Sequence, residues 1–217
     1  MSCQSDPHKV LLFYIFDNEL SKRFNNRLVV QKNVMRTYGN GKAVGYAEDL
    51  QFTHLIIHIK ILYLDGIWRQ NISIGLLQFD SEVLANRWRQ SDPQFRQHDW
   101  LDDHDIWVLP LTGDIQPWYC FEVDLFKVAN KEQFEHDFLS KWEEGIRNAG
   151  GFPGVSSTGE VHVWRGMHEA DYVFISQWPN ELVAQKWHQS EEANQLKATR
   201  PQVTNGCMML AKMKLFA

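Results

Sequence analysis

The chain has 217 residues, 44% of them hydrophobic, which is enough to bury a sizeable core and argues against a disordered segment. Its net charge of −5, with lysine and arginine scattered rather than clustered, leaves no basic face to neutralise phosphates, so nucleic acid is not an expected partner. Cys3, Cys120 and Cys207 have no paired spacing, which speaks against a disulfide framework or zinc knuckle and for a reducing, cytoplasmic setting.

From the N-terminus, Met1 to Lys9 lacks the apolar stretch of a signal peptide. Val10 to Phe16 reads as an apolar strand, and Glu19 to Tyr38 as a helix that Gly39 ends in a left-handed cap. Gly41 to Gln51 reads as a long loop. Two strands follow, Phe52 to Leu64 and Ile72 to Phe79, then a helix from Ser81 to Ser91 and a closing strand from Asp105 to Leu111. The longest apolar run, Leu55 to Leu64, is broken by His58 and Lys60 and is too short to span a bilayer, so no membrane is expected. Thr112 to Pro117 is the expected linker.

The order then recurs. Tyr119 to Phe126 is an alternating strand, and Lys131 to Ala149 a helix whose Phe134, Phe138, Trp142 and Ile146 form an apolar stripe that must face a sheet. Gly150 and Gly151 end that helix, and the glycine-rich stretch to Gly154 reads as a turn. Strands at Gly159 to Arg165 and Tyr172 to Trp178 precede a helix from Asn180 to Lys197 and a closing strand from Cys207 to Phe216.

Gln78–Ser91 and Gln177–Ser190 align at a constant offset of 99, with six of fourteen positions identical and Phe79 matched by Trp178. The chain therefore reads as an α+β tandem duplication of ferredoxin-like βαββαβ units, residues 1–113 and 114–217. Such a unit carries helices on one sheet face only, so the two bare faces are expected to cover each other. RNA-recognition modules share this order, but Tyr172 to Trp178 lacks their basic-aromatic signature.

The second half carries Gly150-Gly151, Trp164-Arg165-Gly166, Gln177-Trp178-Pro179, Ala184, Trp187 and Ser190, and Leu196-Lys197 with Arg200. The first half carries Phe79-Asp80-Ser81-Glu82, Ala85, Trp88 and Ser91, and Pro93 with Phe95. These motifs resemble an uncharacterised domain family of the dimeric α/β barrel superfamily, related to the antibiotic biosynthesis monooxygenases. The resemblance implies two ferredoxin-like sheets closing face to face into a barrel. It also implies a superfamily of cofactor-free oxygenases, polyketide cyclases, isomerases, dehalogenating enzymes and heme-degrading or heme-binding proteins. The monooxygenase branch often has a histidine three residues before the serine of the second helix. Trp88 and Trp187 stand there instead, and His188 comes one residue later. One residue turns a helical side chain by about 100°, so no role is carried over to His188.

Strand alternation sorts side chains between faces. Leu55, Ile57, Ile59 and Ile61 are expected to meet helices, leaving His54, His58 and Lys60 on the opposite face. Tyr119, Phe121, Val123 and Leu125 are likewise expected to meet helices, with Cys120, Glu122 and Asp124 turned toward the other sheet. Val161 and Val163 oppose Glu160, His162 and Trp164. The expected pocket between the sheets is lined by His54, Lys60, Asp124, Glu160, Trp164, Tyr172 and Trp178. His58 and His162 are its expected catalytic bases, assisted by Glu122.

No metal is expected. Four residues along a strand separate His54 from His58 by about 13 Å, and the acidic cluster from Asp99 to Asp105 lacks a calcium loop's glycine turn. Neither a nucleophile elbow nor a phosphate-cradling glycine loop occurs. Trp88 and Trp187 read as packing anchors.

The expected function is that of a small-molecule enzyme with an apolar, aromatic pocket. It would be an oxygenase, cyclase or isomerase that needs no cofactor and begins by proton abstraction. Nine Trp and thirteen Phe suit equally a carrier for a hydrophobic ligand, pigment or heme. A monomer with an internal barrel and a homodimer both fit the sequence.

Overall fold

The fold is described from a computed structural model, which covers residues 9–50, 61–65, 71–91, 105–156, 161–166, 170–200 and 203–216. The first half runs β1 (Val10–Asp17), a 3₁₀ turn (Asn18–Leu20), α1 (Ser21–Thr37), β2 (Lys42–Leu50), β3 (Ile61–Asp65), β4 (Ile72–Phe79), α2 (Glu82–Ser91) and β5 (Asp105–Pro110). The second half runs β6 (Cys120–Val128), α3 (Lys131–Phe134), a π-helical turn (Glu135–Leu139), α4 (Ser140–Asn148), β7 (Phe152–Ser156) and β8 (His162–Arg165). It continues with β9 (Tyr172–Trp178), α5 (Glu181–His188), α6 (Glu191–Thr199), β10 (Val203–Lys212) and β11 (Lys214–Leu215). Among the described residues, no helix is long and apolar enough to cross a membrane.

Local chemistry explains the helix ends. Asn130, Asn180 and Ser190 each accept a backbone N–H three residues on, from Gln133, Val183 and Ala193. Gly39 and Gly150 adopt φ of 65° and 87° just past α1 and α4, as left-handed caps require. The π-helical turn between α3 and α4 inserts an extra residue, which lets Phe138 and Leu139 both turn inward.

One sheet has the order β11-β2-β4-β1-β5-β8, the other β3-β10-β6-β9-β7. Each half lends the other a strand. β3 pairs with β10, and β8 pairs with β5, both antiparallel. The seams are closed as well, since β11 runs on from β10 to pair with β2, and Leu111 beyond β5 bridges to Val155 in β7. The result is the α+β barrel of two antiparallel sheets that the sequence led us to expect, built here from a single chain.

Three buried layers follow. Between the sheets lie Leu11, Phe13, Ile15, Leu76, Trp107, Phe121, Val123, Val173, Ile175 and Met209. Phe24, Leu28 and Met35 of α1, with Ala85 and Trp88 of α2, pack on the outer face of the first sheet. Phe134, Phe138, Trp142, Ile146, Ala184 and Trp187 do the same on the second.

Three local expectations are corrected. Residues 42–50 form strand β2 rather than a loop, its alternation masked by register shifts at Ala43/Gly45 and Ala47/Leu50. The stretch after Gly151 is likewise strand β7, with a shift at Pro153/Val155. The helix expected from Asn180 to Lys197 breaks at Ser190, whose extended backbone caps α6.

Candidate functional site

The outer face of the second sheet carries two completely buried carboxyls, Glu122 and Asp124. Trp178, Phe174 and Tyr172 of β9 pair across the strand register with Cys120, Asp124 and Phe126 of β6, and all of these but Asp124 belong to the apolar layer under α3 to α6. Glu122 and Asp124 lie on this same face, because strand side chains alternate with a period of two. The expected assignment of β6 is therefore inverted. Phe121, Val123 and Leu125 meet the other sheet, and Glu122 and Asp124 sit beneath the helices. Both faces of β6 are covered, so hydrophobic alternation alone carried no information on which cover was which.

Glu122 is completely buried. Its Oε2 accepts from Trp178 Nε1 at 2.7 Å and from His188 Nε2 at 3.0 Å. On the far side of the imidazole, Lys197 Nζ lies 3.3 Å from Nδ1 and 3.5 Å from the His188 carbonyl oxygen. An ammonium can only donate, so Nδ1 accepts, and the ring proton resides on Nε2 facing the carboxylate. Trp142 walls the imidazole at 6.1 Å and Trp178 at 6.4 Å between ring centroids. The helices hold this geometry because Ala184, Trp187 and His188 stand on one face of α5, three and four residues apart.

Asp124 is also completely buried, and neither of its oxygens meets a donor among the described residues, nor does Glu122 Oε1. Burial, followed by the charge of Glu122, pushes the Asp124 carboxyl well above the usual carboxylate range. Burial would raise Glu122 too, but the charge and hydrogen bond of His188, the Trp178 N–H and Asp124 together hold it below its ordinary value. The resulting row of groups runs from Asp124 through Glu122 and His188 to Lys197. Ser176 Oγ, opposite Glu122 in the register, and Trp142 Nε1 are further buried groups that meet no hydrogen-bonding partner among the described residues. A surface depression of about 370 Å³ opens over Trp187, with Gly145, Val183 and Ser190 in its lining.

The other expected residues are scattered. Tyr172 is buried under α3, its hydroxyl donating to Glu135 Oε1 at 2.7 Å. His162 and Trp164 are on β8 in the first sheet, not with Glu122. His162 is 60% exposed and pairs through Nδ1 with Glu82 at 2.6 Å, while Trp164 Nε1 donates to the same Glu82 oxygen at 3.0 Å. His54, His58, Lys60 and Glu160 lie outside the described residues. His188 was passed over because comparison with the resembling family looked for a histidine one position earlier. Its spacing from Ala184 on an otherwise apolar helix face was the available signal.

Among the described residues, no three His, Cys, Asp or Glu side chains gather as a metal site.

No protein-family model and no curated protein matches the chain. Solved structures do. A candidate monooxygenase from Fusobacterium nucleatum subsp. nucleatum ATCC 25586 superposes with a TM-score of 0.57 at 7% identity, over 96% of this chain and 94% of that one. A candidate monooxygenase from Lactobacillus acidophilus NCFM gives 0.55 at 6% identity, over 97% of this chain and 100% of the other. An anthrone oxidase-like protein gives 0.53 at 11% identity, over 99% and 94%. At these identities the likeness is one of fold, and it sets this chain among ferredoxin-like α+β barrel proteins.

Proposed function

We propose that the protein is a small-molecule enzyme of oxygenase, cyclase or isomerase type, which starts its reaction by taking a proton from a hydrophobic or aromatic substrate. The observation that carries this reading is His188, buried between the Glu122 carboxylate and the Lys197 ammonium. A carboxylate on Nε2–H fixes the tautomer and stabilises the imidazolium, leaving Nδ1 as the base once the Lys197 ammonium moves off it. The substrate gives its proton to Nδ1, and the electron pair of the broken bond stays on the substrate. That anion then attacks dioxygen, closes on an internal carbonyl, or takes a proton back at another atom.

The buried Ser176 hydroxyl, unpaired among the described residues, favours a substrate bearing a hydroxyl or carbonyl oxygen. Similarity of fold to an anthrone oxidase-like protein makes anthrone a sensible first probe. Units 1–113 and 114–217 we read as copies of one ancestral unit, from the offset of 99 shared by α2 and α5. Oxygen uptake with anthrone should fall on the order of 10²–10⁴-fold in His188→Ala and Glu122→Gln, and stay unchanged in His162→Ala. Full activity in the first two variants would overturn the proposal. The same assay on His58→Ala tests that residue.

The layer of Phe126, Phe134, Phe138, Trp142, Tyr172 and Phe174 supports one rival, a carrier for a hydrophobic ligand or pigment. Quenching of tryptophan fluorescence by anthrone without any turnover would favour it.

A further inference from the structure

The first half presents the same frame with different chemistry. Its register pairs Leu12 with Leu77 and Tyr14 with Gly75, just as the second pairs Glu122 with Ser176 and Asp124 with Phe174. Since Leu77 and Gly75 precede Ser176 and Phe174 by the repeat offset of 99, Leu12 stands where Glu122 stands, and Tyr14 where Asp124 does. By the same offset Phe79 replaces Trp178 and Arg89 replaces His188. The helices keep step, because Ala85 and Trp88 are buried on α2 as Ala184 and Trp187 are on α5.

Each replacement removes a function that the second half has. Leu12 cannot orient a base, Phe79 has no N–H to donate, and an arginine stays protonated and cannot accept a proton. Tyr14, raised chiefly by burial, keeps its phenol neutral.

Arg89 and its neighbour Glu82 have other contacts. The Arg89 guanidinium lies 4.8 Å from the centroid of the Trp164 ring. Glu82, two turns before Arg89 on the same face of α2, accepts from both His162 and Trp164. Both of those residues are on β8, one of the two strands, with β11, that the second half contributes to the first sheet.

We infer that, between these two matching faces, only that of the second sheet transfers protons, and that the face of the first has become a clamp in which Glu82 and Arg89 hold β8 in place. The inference takes the proton-transfer reading of His188 as its starting point. The clamp itself stands on contacts that do not depend on it.

The test combines amide hydrogen exchange with turnover of anthrone. In Arg89→Gln, which loses the cation–π contact with Trp164, and in Glu82→Ala, which loses the bonds to His162 and Trp164, exchange over His162–Arg165 should quicken about tenfold. Exchange over Cys120–Val128 and Tyr172–Trp178 should stay as it was. In Glu122→Gln/His188→Gln, β8 should keep its protection while turnover disappears. Unchanged β8 exchange in both clamp variants would overturn the inference, as would the retention of about half the wild-type turnover when the second site is removed. A wild-type protein inert toward anthrone would count against the proton-transfer reading alone, and the exchange result would still decide the clamp.

Discussion

Trp178 and His188, ten residues apart on a strand and a helix, donate to the same oxygen of Glu122, at 2.7 and 3.0 Å. A buried carboxylate with two such donors has little freedom to turn, so the imidazole opposite it is held in one orientation.

Trp178→Phe keeps the ring and removes only the N–H. Loss of one hydrogen bond to a buried charged acceptor should lower stability by about 1.5–3 kcal/mol, measurable by urea unfolding. A Trp178→Phe protein as stable as wild type would show that Glu122 does not depend on this bond.

His188→Ala leaves the Glu122 charge with one donor fewer inside the protein, and we expect a cost of about 3–5 kcal/mol. Glu122→Gln should cost less, because the amide can still accept from Trp178 and donate toward Asp124. A double-mutant cycle over the two positions should give a coupling of about 0.5–3 kcal/mol. Strict additivity would argue against direct pairing.

The two carboxyls act on stability at opposite ends of the pH scale. Asp124 is raised in the folded protein, so its contribution is complete below the ordinary carboxyl value and is lost as pH climbs through the raised one. Glu122 is lowered, so its contribution is present above the ordinary value and is lost as pH falls through the depressed one. Thermal melts across pH should therefore show Asp124→Asn gaining on wild type as the solution becomes alkaline. An unchanged difference at all pH values would show that Asp124 is not held above its ordinary range.

Gly145→Ala should destabilise the protein by about 1–3 kcal/mol through overpacking. A methyl group built there would come within 2.2 Å of the Trp187 ring, itself wedged between α4 and the sheet. Thermal melting and near-ultraviolet circular dichroism would report both the loss and the disturbed tryptophan.

The sequence disclosed the elements and their order because β4, α2 and β9 each match a strong pattern, and the expected and observed bounds of β4 and β9 coincide. It disclosed less where the backbone is irregular. Register shifts hid β2 and β7, and Ser190 interrupted an otherwise continuous helical pattern. The site was half legible. Glu122, Asp124 and Trp178 were selected for their polarity or ring size, yet assigned to the wrong side of the sheet. His188 follows Trp187 on the same turn, and only the packing of α5 against β6 reveals that both point inward.

Strand exchange between the halves bears on how this molecule can be taken apart. A fragment ending at the linker would lose β8 and β11 from one sheet, and its complement would lose β3 from the other, so each would show raw edges and an apolar face to solvent. Proteolytic nicking between Thr112 and Pro117 should accordingly yield two interlocked pieces that travel together through gel filtration and part only in denaturant.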